Sequence, residues 1–231
     1  MFHNDRVSQL LRYRRMYTPT PFQQDRPEVL QEFMERYPLA VLVGASDKGV
    51  LASHIPLIFE GTHGTSGTLK GHIARANPMW REFTDGAEVL AIFQGASHYI
   101  SPNWYASKRE HGKVVPTWNY TVVHARGRIT WIQDRAWLRS FVGTLTDRHE
   151  RGSASPWQIS DAPAGYFEQM LSAIVGFEIA IESLSGKWKL SQNRSAADQA
   201  GVVSALSTSA DPAALEMAAL VAQPNRSQRG D

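Results

Sequence analysis

Residues 98–124, HYISPNWYASKREHGKVVPTWNYTVVH, gather Tyr99, Trp104, Tyr105, Trp118 and Tyr120 with three of the chain's eight histidines. Among them stands an aromatic-amide run, Thr117-Trp118-Asn119-Tyr120. A plain core strand alternates small apolar and polar residues and does not collect rings with polar tips. Such rings suit a flat, partly polar ligand, with faces to stack on and amides and hydroxyls to meet its edge. The same composition suits an aromatic-rich strand and loop at a subunit interface, and residue types alone leave both readings open.

Three further clusters carry donors. In Gly71-His72-Ile73-Ala74-Arg75-Ala76-Asn77-Pro78 a strand gives way to a helix start with a basic pair just ahead of it. Free N–H groups and the positive end of a helix dipole favour an anion there, and Arg75 offers a forked guanidinium for phosphate. The alternatives are a solvated Arg75 and a satisfied strand histidine at His72. The Gly spacing of a P-loop or dinucleotide loop is absent. Ser53-His54-Ile55-Pro56 places a proline inside a strand, which marks an edge or a bulge where a barrel opens to a ligand, or a kink that leaves His54 facing water. Residues 187–194, KWKLSQNR, hold Lys189, Gln192 and Asn193 as donors for carbonyl and ring-nitrogen edges, or form a polar loop that caps the next helix.

Other chemistries find little support. No two histidines are four apart, and neither a His-Glu-x-x-His motif nor an Asp-rich calcium loop occurs, so no metal site is expected. No Gly-x-Ser-x-Gly elbow is present, and no catalytic acid or base stands out. A helix pair over 197–222 has helix–turn–helix proportions, but its second helix lacks Arg and Lys and carries Glu216. Direct DNA binding through this pair is therefore not expected.

The elements that must position these clusters follow from periodicity. A helix begins at Pro27, with Val29, Leu30, Phe33 and Met34 on one face, and Pro38 ends it. Strands are expected at 39–45, 50–60, 68–73, 89–93, 114–132 and 174–181, with Asp47-Lys48-Gly49 and the glycine-rich 61–67 as turns and Gly95 ending the fourth strand. Their short connections imply antiparallel neighbours. Asn77 and Pro78 open a short helix to Asp85 that Gly86 stops. Asp134 opens another carrying Trp137, Leu138, Phe141 and Leu145, and a third lies around 166–171. Helices at 197–206 and 213–222 close the chain. Five or six antiparallel strands with intervening and trailing helices give a mainly β, α+β barrel-like sheet.

Composition narrows the class. With 231 residues, 42% of them hydrophobic, the chain can bury a sizeable core. A net charge of +2 demands no polyelectrolyte partner. Zero Cys rules out disulfides and thiolate-ligated centres. No apolar run approaches the ~20 residues of a membrane span, and residues 1–17 lack a signal-peptide core. A cytoplasmic protein is expected.

Taken together, the segments resemble the PaiB-like, FMN-binding negative transcriptional regulator family. The resemblance rests on Met16-Tyr17-Thr18-Pro19 with Phe22, on SHIPL from Ser53, GHIARANPMW from Gly71, YISPNWYASK from Tyr99, VVPTWNYTVVHARG from Val114, IVGFEIAIE from Ile174 and KWKLSQNR from Lys187. They occur in the family's order over roughly 16–205, with Gly95-Ala96 departing from an expected Gly-Pro. The resemblance implies a split barrel of the pyridoxamine-phosphate-oxidase type: six antiparallel strands, a homodimer, and FMN held between subunits. It implies that His72, Arg75 and Asn77 lie at the FMN phosphate, and that Trp118, Asn119 and Tyr120 with Lys189, Gln192 and Asn193 lie near the isoalloxazine, from either subunit. His54 and Thr117 complete the expected binding set. Related barrels take haem or a deazaflavin. The expected division is an arm at 1–15, a barrel domain at 16–194, helices packed on it at 195–222 and a tail at 223–231. The function implied is negative regulation through flavin binding or a partner, against a flavin-dependent oxidoreductase or an apo interaction module.

Overall fold

A computed structural model describes residues 16–61 and 67–223. The expected arm with Arg12, Arg14 and Arg15, most of the loop at 61–67 and nearly all of the tail lie outside the described residues. The strands are β1 (Gln23–Gln24), β2 (Leu39–Ser46), β3 (Gly49–Pro56), β4 (Ile58–Glu60), β5 (Thr68–Ala74), β6 (Glu88–Ile100), β7 (Thr117–Ile132) and β8 (Ile174–Lys189). The helices are α1 (Pro27–Arg36), α2 (Met79–Glu82), α3 (Ser107–Glu110), α4 (Arg135–Glu150), α5 (Tyr166–Ser172), α6 (Ala196–Ser207) and α7 (Pro212–Ala222). The described residues fall into two compact units, the first made of 26–94 and 123–184, the second of described residues up to 25, of 95–122, and from 185 on.

In the first unit, α1 buries Leu30, Phe33 and Met34 at helical spacing. β2 and β3 pair from Leu39↔Pro56 to Ser46↔Gly49 across the two-residue turn Asp47-Lys48, with Gly49 at φ 125°, where L side chains are strained. The sheet order is β3-β2-β6-β7-β8-β5-β4, with β1 added against β8. One residue, Leu57, separates β3 from β4, yet these strands end opposite sides of that order. The sheet must therefore curl round until its two edges meet, which is barrel closure. Leu57 is buried and its N–H donates to Pro38 O at 2.9 Å instead of to a ladder. The single strand expected over 50–60 is thus two strands, and Pro56 sits at the break, as a residue without an N–H should.

Among the described residues the sheet counts eight strands rather than five or six, because β1 and β4 are too short to leave a periodic signal. β5 and β8 pair from Thr68↔Ala180 to Ala74↔Ile174. At Gly71 a Cβ would stand 2.5 Å from the Phe177 ring, so only glycine lets that ring lie against the strand. α4 opens with Asp134, whose Oδ1 accepts from Trp137 N at 2.7 Å, and it buries Leu138 and Phe141. Trp137 stacks on Phe141 at 5.1 Å and donates to Glu178.

The second unit has its own core. Ala96, Ile100, Tyr105, Leu190, Val202 and Met217 are buried together, with Trp104 and Trp188 packed against them. The two terminal helices supply much of it, and Ser195 and Asp211 cap them through Asp198 N and Ala213 N. At Gly201 a Cβ would stand 2.0 Å from Trp104 O, so α6 meets the 102–104 turn backbone to backbone. Asp198, buried on α6, accepts from Ser107 N at 2.9 Å and from Ser107 Oγ at 2.8 Å, which fastens α3 to the helix pair.

Two strands run further than their sequence pattern implies. Gly95 does not end β6, which continues to Ile100 because Ala96 and Ile100 have a core to enter. β8 continues from Ile181 to Lys189, pairing Gly186 with Gln24 and Lys187 with Gln23. In contrast, α2 is shorter than the helix expected over 78–85, since Phe83 turns extended to bury its ring.

Candidate functional site

In the first unit, the strand-to-helix corner is built on Arg75 and Asn77. β5 ends at Ala74, and Asn77 N donates to Ala74 O to close the turn. Asn77 Oδ1 then accepts from Met79 N at 3.0 Å, while its Nδ2 donates to Ser53 Oγ at 3.0 Å. Side chains alternate along a strand, so Ser53 meets the corner and the exposed His54 faces away from it. Arg75 spreads its guanidinium over neutral acceptors: Nε to Ser172 O at 2.9 Å, Nη1 to Gln133 Oε1 at 2.8 Å, Nη2 to Ile174 O at 3.0 Å. Trp80 donates back to Arg75 O, and its ring lies beneath both Arg75 and Arg81. Among the described residues no carboxylate pairs with Arg75, so its charge is fixed in place and uncompensated. Two of its five N–H groups remain for a further acceptor. The anion-binding capacity of the corner lies in this arginine, because α2 is a single turn with little dipole.

His72 is a different case. Its ring stands edge-on to Phe141 at 5.8 Å, Nδ1 is buried without a partner, and burial holds its pKa below the ordinary value. Burial thus favours the neutral imidazole, beside an aromatic wall. A separate cleft of about 470 Å³ in this unit is lined by Asp147, Glu150, Arg151 and Trp157, and none of the residues expected from sequence lines it.

The second unit gathers most of the aromatic-amide and KWKLSQNR residues. Lys189 Nζ donates to Thr117 Oγ1. Asn119, fully buried, exchanges hydrogen bonds with Ser191: Nδ2 to Oγ at 3.0 Å and Oγ to Oδ1 at 3.3 Å. Ser191 sits at φ 65°, strained for a residue with a side chain. Gln192 is folded back into the same turn, accepting from Leu190 N and donating to Trp188 O. Its amide shapes the turn rather than facing outward, whereas Asn193 is exposed. Trp118 is 55% exposed and meets Tyr99 edge-on at 6.1 Å, leaving a ring face open to a planar ligand.

Lys187 is a member of this group that local sequence did not single out. It is only 9% exposed, donates to Tyr17 O at 2.9 Å, and its ammonium lies 5.4 Å from the ring centres of both Tyr17 and Tyr120. Arg194 stacks on Tyr105 at 4.7 Å. Burial lowers the Lys189 pKa most, Tyr120 opposes that, and Lys187 and Arg194 lower it further. The signal for Lys187 is the K-W-K alternation: in a strand it puts both ammonium groups on one face and Trp188 on the other, packed against the core.

The sequence profile of the family described as "Putative FMN-binding domain" matches residues 16–183. Protease synthase and sporulation protein PAI 2 of Bacillus subtilis is 32% identical over 206 residues, 89% of this chain and 96% of that protein. An uncharacterised Aspergillus fumigatus protein is 33% identical over 220 residues, covering 76% of this chain and 84% of its own. Among solved structures, an FAD- and haem-binding protein from Mycobacterium smegmatis superposes with TM-score 0.53 at 20% identity, over 72% of this chain and 73% of that one. A flavocytochrome from Azotobacter vinelandii gives TM-score 0.54 at 14% identity, over 72% and 69%. These two carry the fold alone. With its antiparallel split-barrel sheet and a match across most of its length, the chain belongs to the FMN-binding domain family, among the PaiB-like proteins its motifs resemble.

Proposed function

We propose that the protein binds FMN and acts as a flavin-responsive regulator, its effect on gene expression passing through the flavin or a partner rather than through DNA contacts of its own. The observation that carries this reading is the second unit's combination of an open Trp118 face with Lys187 and Lys189 on one strand face. A planar, anionic, heteroaromatic ligand uses both features: stacking on the ring and charge-assisted bonds to its edge. In the first unit, the uncompensated Arg75 fork supports a phosphate contact on its own account. Bound flavin supplies the electron and hydride chemistry, while the chain's residues hold and orient it.

The expected assembly is a homodimer with one FMN per subunit. The regulatory reading draws support from the sporulation relative and from helices α6 and α7, which carry neither Lys nor Arg. The test is the absorbance spectrum of the protein as purified, followed by mass spectrometry of the released ligand and by turnover with NAD(P)H. Flavin without turnover supports regulation; rapid NAD(P)H oxidation moves the reading to an oxidoreductase.

A further inference from the structure

Lys187 and Lys189 stand two residues apart at the end of β8, on one face of the strand. Their contacts are all neutral: Tyr17 O and the Tyr17 and Tyr120 rings for Lys187, Thr117 Oγ1 for Lys189. Among the described residues neither pairs with a carboxylate. The next charged group along the chain, Arg194, adds to the positive charge at Lys189, and its own field falls partly on Asp198. Two partly buried ammonium groups held close together without an acid are costly. The depressed pKa of Lys189 is one sign of that cost. An anion relieves it, and a neutral ring edge does so far less.

We propose that this two-lysine face is selective for redox state: it binds reduced FMN, whose ring carries a negative charge near neutral pH, more tightly than oxidised FMN, whose ring is neutral. The inference rests on the flavin reading above and adds the state of the flavin that the protein senses. Oxidised FMN gains two electrons and one proton from a reductant to give the anionic hydroquinone, and the added charge resides on the ring. The phosphate is the same in both states, so whatever Arg75 contributes cancels in the comparison. What differs is the charge–charge attraction at Lys187 and Lys189, worth far more in a partly buried site than in water.

The experiment is an anaerobic titration of the full chain. Oxidised FMN affinity comes from quenching of flavin fluorescence. The extents of reduction of bound and free FMN, with dithionite as reductant and a reference dye, give the reduced-state affinity through the thermodynamic cycle. The expected result is that reduced FMN binds about tenfold or more tightly, the size of one good charge-assisted contact. Lys189→Met should reduce that preference severalfold, and Lys189→Arg should keep it. Equal or weaker binding of reduced FMN to the wild-type chain overturns the proposal while leaving flavin binding intact, and needs no variant to fold. Equal loss of preference in Lys189→Met and Lys189→Arg also overturns the charge argument. Failure to bind FMN in either state overturns both this proposal and the reading it rests on.

Discussion

Asn119 and Ser191 hold each other by a reciprocal pair of hydrogen bonds, at 3.0 and 3.3 Å, deep in the second unit, and Ser191 does so in a left-handed backbone conformation. A buried amide that loses its partner keeps its desolvation penalty, roughly 1–3 kcal/mol, and a strained serine adds about 1 kcal/mol. Ser191→Ala should therefore destabilise more than Ser191→Gly, although glycine is the smaller residue, because glycine releases the strain. Denaturant unfolding of both variants checks the order. A less stable glycine variant would mean that the positive φ costs nothing here.

Asp198 predicts an acid dependence. Burial alone would raise its pKa, but the bonds from Ser107 N, Ser107 Oγ and Ser195, with Arg194 nearby, outweigh that and hold it below the ordinary carboxylate value. A folded-state pKa below the unfolded one contributes stability that is present above the unfolded value. That stability is lost as pH falls through the folded value. Asp198→Asn should thus be less stable at neutral pH and show a shallower loss of stability below the ordinary carboxylate range. Unfolding midpoints from neutral pH into acid test this, and parallel curves for the two proteins would remove Asp198 from the account.

Arg75 should prove to be both a clamp and an anchor. Arg75→Ala removes bonds to Ser172, Gln133 and Ile174 and should lower the melting temperature. It should also weaken FMN by about ten- to a hundredfold more than riboflavin, which lacks the phosphate, if one charge-assisted bond of roughly 1.5–3 kcal/mol is lost. Isothermal titration with both ligands separates the roles. Equal losses for FMN and riboflavin would leave Arg75 purely a clamp.

Two tryptophans should behave in opposite ways. Trp118 is largely exposed, so Trp118→Ala should leave thermal stability nearly unchanged while weakening FMN on the order of tenfold. Trp137 stacks on Phe141 and donates to Glu178, so Trp137→Ala should cost roughly 2–3 kcal/mol of stability. Paired melting and binding curves decide the matter, and loss of stability with intact binding in Trp118→Ala would move that ring from ligand to scaffold.

DNA affinity should be weak and insensitive to sequence. α6 and α7 carry no Lys or Arg, and their Val202, Leu206, Met217 and Val221 are spent on the second unit's core. Binding to a random duplex and to the protein's own upstream region, at low and near-physiological salt, measures this. Submicromolar, sequence-specific binding at the higher salt would overturn indirect regulation.

Local chemistry made some of this visible in the sequence and hid the rest. Asn77 before Pro78 and Asp134 before Trp137 are short-range signals, and the corner and α4 begin where they indicate. Gly95 was misleading because a glycine weakens a strand without ending it when buried residues follow on the same face. β8 passes through Ser183-Leu184-Ser185-Gly186, which is polar enough to look like a loop, and is held there by pairing with β1, a contact distant in sequence. The neutral partners of Arg75 come from residues 133, 172 and 174, so no local pattern around residue 75 distinguishes a clamp from a free anion site.

FMN, as the ligand proposed for this chain, leaves a signature that can be read on the purified protein. The most direct measurement is the absorbance spectrum of the purified protein together with the mass of the ligand it releases on denaturation. The expected result is a flavin spectrum and the mass of FMN at one per subunit, or uptake to that ratio when FMN is added to colourless protein. A haem spectrum, the mass of FAD, or a colourless protein that takes up no FMN on titration would contradict it.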